Sequence, residues 1–290
     1  MKLYIYILLA ISMFSCRKEI EYKGDAQDSF LIINGLIDND STIKVRLSKS
    51  RPAIGEQNIG PTDITASASL ILTDNSTGET FTSNEVNSLG EYAFSTIAKT
   101  GHSYSVSVSH TDFKTAYSSN TIVPIVVPII NCDTSSVLYA NEYSRFKKVD
   151  FSFVDPEIDN RYFIQVFSID SSGVEENIWI ESNGTINLSD DVSGSGLLFK
   201  DVSFNNTTKN VSLSFYASYH YDQITYANLN EKSYKIVLNS LSKEAYNYIL
   251  SVNKSMNSND IFSEPVKVYT NITNGFGIFG AVTKSVVIFD

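Results

Sequence analysis

The stretch FSEPVKVYTNITNGFGIFG, residues 262–280, is the most distinctive in the chain. Gly275, Gly277 and Gly280 are interleaved with Phe276, Ile278 and Phe279. Asn274-Gly275 is the dipeptide of tight turns that need positive φ at both central residues. Residues 266–269 alternate like a half-buried strand, and residues 281–289 are rich in β-branched side chains. This pattern predicts strand, turn and strand, with aromatic rings sent into a core and glycines letting backbone approach backbone.

The remainder agrees with a β-rich chain. Aromatics make up 12% of the 290 residues, including 17 Tyr and 17 Phe, and a hydrophobic content of 42% allows a sizeable core. The length is that of about two domains. A net charge of −10 with no basic patch excludes the electrostatics of nucleic-acid binding and of adsorption to anionic lipid.

From residue 30 the chain is a series of short strand candidates: 30–36, 42–48, 66–73, 80–83, 91–94, 104–109 and 117–123. Turn-rich pieces such as Asp38-Asn39-Asp40 and Asp74-Asn75-Ser76-Thr77-Gly78 separate them. About seven strands without a helical pattern predict an immunoglobulin-like or transthyretin-like sandwich over residues 30–124. Val123-Pro124 and Val127-Pro128 mark a stiff extended connector.

A second β-rich domain is expected over residues 125–290, with strands at 149–154, 162–169, 177–180, 211–219 and 234–240. Residues 183–209, full of Asn, Ser, Asp and Gly, are expected as long loops. One helix is expected near 242–255. Leu241, Ala245, Tyr248, Ile249 and Val252 share one face, and Ser242 stands at the capping position.

The N-terminus supplies an address. Lys2 precedes an apolar run over residues 3–14, too short to span a bilayer and suited to a signal-peptide core. It ends at Ser15-Cys16, which resembles a bacterial lipobox. Residues 1–15 are then the signal peptide, Cys16 the lipidated first residue of the mature chain, and residues 16–29 a polar tether. With Cys16 lipidated, Cys132 has no disulfide partner and is expected as a buried small hydrophobe. Glu19 and Glu21 resemble the surface-export signals of Bacteroidota lipoproteins.

Several pieces carry a wider resemblance. Leu89-Gly90-Glu91-Tyr92 and Gly101-His102-Ser103-Tyr104-Ser105-Val106 resemble the carboxypeptidase-regulatory-like sandwiches, which are scaffolds and binding modules. These pieces join Cys16, Ile33-Asn34-Gly35, Asp155-Pro156 with Tyr162, and the helix ahead of Phe262-Ser263-Glu264-Pro265. The strongest match is Asn271-Ile272-Thr273-Asn274-Gly275-Phe276-Gly277-Ile278-Phe279-Gly280. Together they resemble domain-of-unknown-function family 4249, Bacteroidota outer-membrane lipoproteins often encoded beside TonB-dependent transporters. The resemblance implies a surface-facing, lipid-anchored accessory to nutrient uptake, with a TonB-dependent transporter as its partner and no catalytic residues to carry over. Within the motif, Glu264, Pro265, Asn271, Asn274, Gly275, Gly277, Phe279 and Gly280 are structural expectations.

The chemistry-bearing residues point away from catalysis. His102, His110 and His220 are scattered, without the close pairs a zinc site uses. No nucleophile elbow, Walker loop or dinucleotide cradle is present, so no cofactor is expected. Asp155, Glu157 and Asp159 alternate as in a calcium loop. Asn160 stands where such a loop needs Gly, and Val166 where it needs Glu, so a solvated turn is expected instead. Tyr219 and Tyr221 close an aromatic run on one face of a predicted strand and are the candidate ligand-binding side chains. The function expected from all of this is a non-catalytic transporter accessory. The alternative is a stand-alone surface adhesin or glycan-binding protein.

Overall fold

The computed structural model describes residues 29–51, 67–87, 90–141, 144–182, 196–216, 233–257 and 266–289. Its first part contains β1 (Leu31–Asp38), β2 (Thr42–Lys49), β3 (Ala68–Asp74) and β4 (Glu79–Ser83). These are followed by β5 (Glu91–Ile97), β6 (Ser103–His110), β7 (Phe113–Ser118) and β8 (Thr121–Ile122). The second part holds β9 (Ile129–Asn141), β10 (Ser144–Val154), β11 (Arg161–Ile169), β12 (Glu175–Ile178) and β13 (Ile180–Ser182). Then come β14 (Leu197–Lys200), β15 (Thr208–Tyr216), β16 (Ser233–Leu241), the helix α1 (Lys243–Asn257), β17 (Ile272–Thr273) and β18 (Gly275–Phe289).

The strands form three sheets, and the protein is mostly β, with a sandwich-like fold and a packed helix. The largest sheet has eight strands in the order β12-β11-β16-β18-β1-β2-β5, with β14 also pairing β11. A six-stranded sheet, β17-β7-β6-β3-β4 with β8 beside β6, packs on one part of it. A four-stranded sheet, β13-β15-β10-β9, packs on another.

Alternation explains both packings. In β1 and β2, Leu31, Ile33, Ile37, Ile43, Val45 and Leu47 all point into the first core. They meet Leu70 and Leu72 of β3 and Tyr104, Val106 and Val108 of β6 there. The partners of those β6 residues in the alternation, Ser103, Ser105, Ser107 and Ser109, face outward. In the second core Tyr162, Ile164 and Val166 of β11 meet Val149, Phe151 and Phe153 of β10 and Val211, Leu213 and Phe215 of β15.

β18 is the strand that both cores share. Its first half runs parallel to β1, from Leu31↔Gly275 to Asp38↔Val282. Its second half runs antiparallel to β16, from Leu241↔Val282 to Tyr234↔Phe289. Phe279 and Ala281 enter the first core, and Phe289 packs against the second. The connector follows the same strand face. Thr121 Oγ1 donates to Phe279 O (2.7 Å), Thr283 Oγ1 to Ile125 O (3.1 Å), and Ile129 N to Ser285 Oγ (2.8 Å). Val123 is buried in the first core and Val127 in the second. The chain thus passes from the first core to the second between Val123 and Val127, while its last strand serves both.

α1 covers the opposite face of the eight-stranded sheet. Ser242 caps it, accepting from Ala245 N (3.2 Å) and also from Ala281 N in β18 (3.1 Å). Ala245 and Tyr246 are buried against Phe163, Leu198, Leu241 and Val282, with Ile249 and Leu250 beside them. The buried face is therefore rotated from the expected one, with Tyr246 inside where Tyr248 was expected. At Gly280 a Cβ would lie 3.0 Å from Ala245 Cβ, so the helix seats its Ala245 turn on a glycine.

Candidate functional site

The C-terminal motif is a joint between sheets. Asn274 has φ 61°, but Gly275 does not share the positive φ expected of it. The reason is topological. β17 pairs with β7, through Ile272↔Ser118 and Thr273↔Tyr117, and not with β18. The turn passes the chain from one sheet to another, so the hairpin twist that demands two positive φ values is not required. Asn274 Nδ2 donates to Thr115 O (3.0 Å) and fixes the crossing. The strand expected at 266–269 is also absent: Tyr269 N donates to Ser251 Oγ on α1 (2.8 Å) rather than to a neighbouring strand.

Asn271 finishes an unpaired edge. Among the described residues, β18 between Gly275 and Gly280 has β1 on one side and no paired strand on the other, because β16 joins only at Val282. The Asn271 amide takes the missing strand's place. Its Nδ2 donates to Phe279 O and its Oδ1 accepts from Phe279 N, both at 2.9 Å. On the other side, glycines let β1 close in. A Cβ on Gly275 would lie 2.7 Å from Leu31 O, and one on Gly277, where φ is +102°, would lie 2.1 Å from Ile33 O. Gly35 makes room for the Phe279 ring, whose Cδ2 would be 2.9 Å from an added Cβ. Cys16, Tyr219, Tyr221, Glu264 and Pro265 lie outside the described residues.

The acidic loop after β10 departs from expectation. Asp155 is fully buried instead of solvated, whereas Glu157 and Asp159 are exposed, so the three carboxylates cannot converge on one ion. Tyr162 Oη donates to Asp155 Oδ1 (2.5 Å), and Asn206 N donates to Oδ2 (3.1 Å). Asp201, also buried, accepts from Asn160 N (2.7 Å). The two acids tie the loops on either side of β11 and β14 together. Burial raises the Asp155 carboxyl above its ordinary range; the Tyr162 hydrogen bond opposes this and the nearby Asp201 charge adds to it. Burial, with Asp155 next to it, also raises the Tyr162 phenol.

A third buried acid closes the first sandwich. Asp74, at the end of β3, receives Ser76 N (3.0 Å) and contacts His102 Nδ1 (2.8 Å). Burial works against its ionisation, but the His102 hydrogen bond and charge and the turn N–H outweigh it, so its carboxyl titrates below the ordinary range. His110 packs instead on Phe113 (5.1 Å between ring centres), and His220 lies outside the described residues. Cys132 is half-buried against the second core, its thiol raised by burial and by Asp133. Among the described residues no three His, Cys, Asp or Glu side chains gather in metal-binding geometry. Asp74–His102 is not visible as a pair in the sequence, where 28 positions separate its members. Only the turn residues around each hint at it.

The fold and these joints define a mostly-β protein in which two sandwiches share one sheet and a helix backs it. The chain belongs to the domain of unknown function family DUF4249, whose family model matches residues 17–286. No curated protein matches the sequence. Among solved structures, a "Biofilm associated protein - BSP domain" aligns with 95% of this chain at 8% identity and a TM-score of 0.24. The alignment covers 61% of that protein's chain, so this chain spans less than two thirds of it. A likeness of that size carries no argument about fold or role.

Proposed function

We propose that this protein is a non-catalytic outer-membrane lipoprotein that assists a TonB-dependent transporter in nutrient uptake, by capturing ligand or by docking in the complex. The observation that carries the reading is the apolar segment 3–14 ending in Ser15-Cys16, ahead of a short polar segment and the first strand at Leu31. The family resemblance supplies the transporter as partner. Several acyl chains on Cys16 would anchor the protein stably, where one would not. Confinement to the membrane plane raises its effective concentration beside a membrane partner without strong contacts. The tether would leave the sandwiches free to face the outside of the cell.

The test is purification of the native lipidated protein from gently solubilised outer membranes, with partners identified by mass spectrometry. A stoichiometric TonB-dependent transporter is the expected result. Recovery of the protein alone would overturn the proposal in favour of a free-standing adhesin or glycan-binding protein.

A further inference from the structure

The outer face of the six-stranded sheet is unusual for this chain. The sequence carries 22 Lys+Arg and 32 Asp+Glu, yet the central rows of this face carry none of them; Lys114 of β7, at the bulge opposite Ser109, and Glu79 of β4 stand exposed only at its margins. From β6 the outward positions are the four serines already described. From β3 they are Ser69, Ile71 and Thr73, and from β4 Thr80 and Thr82. β7, β8 and β17 contribute Thr115, Tyr117, Ile122 and Thr273.

The pairings align these residues into rungs. Tyr117 pairs with Ser107, Ser107 with Ile71, and Ile71 with Thr82, so one row crosses four strands. Adjacent strands lie about 4.8 Å apart. Tyr117 is 48% exposed and Ile71 43%, which places an open aromatic ring and an open aliphatic side chain on either side of a serine. The next row is Ser105, Thr73 and Thr80. At its end Asn75 Nδ2 donates to Ser105 Oγ (3.2 Å) and to Asn120 Oδ1 (3.4 Å), adding two exposed amides to the rim.

We propose that this face binds a neutral polysaccharide chain, with Tyr117 as the stacking platform. The chemistry selects that occupant. Serine and threonine hydroxyls both donate and accept, as sugar hydroxyls do, and a neutral chain lying along the two central rows desolvates no ionised group of those rows. Protein interface cores are depleted in serine, an anionic membrane attracts basic residues, and a nucleic acid needs cations. None of those matches two hydroxyl-rich rows without charge, one exposed phenol, and single charges of each sign only at the margins. The inference depends on neither the lipid anchor nor the transporter.

The experiment is affinity electrophoresis of the full chain in detergent micelles. The gels contain xylan, galactomannan, dextran or hydroxyethylcellulose, with polygalacturonate as the charged counterpart. Retardation in at least one neutral gel is expected. Tyr117→Ala and Ser107→Lys should each weaken it at least tenfold with unchanged melting temperature, while Val202→Lys, on the exposed surface of the second half, should not. The proposal is overturned by free migration in every neutral gel, by retardation with polygalacturonate alone, or by full binding in both face variants. A protein that purifies without a transporter but is retarded here keeps this inference and loses the transporter reading, and the converse holds equally.

Discussion

Asp74 in the first sandwich and Asp155 in the second are both buried at or just after the end of a strand, and both hold loops in place. Their ionisation nevertheless moves in opposite directions. Burial pushes both carboxyls up, so burial alone does not separate them. Asp74 has an imidazole at 2.8 Å and the donors of its own turn. Asp155 has a phenol, one backbone N–H and the charge of Asp201 nearby. The partners decide the sign. A folded pKa raised above 3.8 means that the folded state holds its proton more tightly than the unfolded chain. Asp155 therefore contributes stability below pH 3.8 that is lost as pH rises through its folded value. Asp74 is the reverse: its contribution is present above pH 3.8 and is lost as pH falls through a lower folded value.

The largest effect should come from breaking the strand that joins the two regions. Gly277→Ala would place a Cβ 2.1 Å from Ile33 O at a φ of +102°, forcing β1 and β18 apart. Urea unfolding should show a loss of about 4 kcal/mol. Gly78→Ala, also at positive φ but facing open space, should lose only about 1 kcal/mol. Equal losses would mean that backbone conformation, and not the close approach, is what requires glycine.

Tyr162→Phe comes next. It leaves the buried Asp155 carboxyl with one donor fewer and should cost about 2 kcal/mol. The penalty should be larger at pH 7 than at pH 4, because the ionised acid loses most, and paired urea melts at the two pH values would show it. A pH-independent penalty would place the phenol's role in packing among Phe153, Phe199 and Phe204 instead.

The smallest effect belongs to the partly exposed pair. His102→Ala should lower stability by about 1 kcal/mol at neutral pH, discounted for the imidazole's solvent contact. The difference from wild type should shrink below pH 3.8 as Asp74 protonates. A difference that persisted at low pH would remove Asp74 as the reason that His102 matters.

How legible each element was in the sequence follows from how it is buried. β1, β2, β3 and β6 are buried on one face, and their alternation is plain in residues 31–38, 42–49, 68–74 and 103–110. β14 falls inside the stretch expected to be loops. Leu197 and Phe199 enter the second core while Leu198 packs beneath α1, and a strand buried on both faces leaves no alternation to read. β9 is polar over Asn131 to Ser136 and gains its strand form by pairing with β10. The strand expected over 117–123 is interrupted because Ser119 N donates to Asn271 O, leaving β7 and β8 as separate pieces beside β6. Of the strand expected over 211–219, residues 211–216 lie in β15 with Phe215 in the core, and the rest lies outside the described residues.

The candidate joint was only half legible. The glycines at 275, 277 and 280 announced close approach, and the structure names what approaches: Leu31, Ile33 and Ala245. Nothing local announced Asn271 as a substitute strand, because its partner lies on a strand edge left open by distant pairings.

From the sequence alone came the β-rich class, most strand positions, the helix with its Ser242 cap, and the expectation of a lipid anchor. All of these depend on patterns within a few residues of one another. Tertiary structure alone decided that the last strand lies between β1 and β16, that Asp155 is inside and Glu157 outside, and that Asp74 and Asp155 titrate oppositely. Each of these depends on which distant groups share a hydrogen bond or a charge, and a linear pattern does not encode which partner will be near.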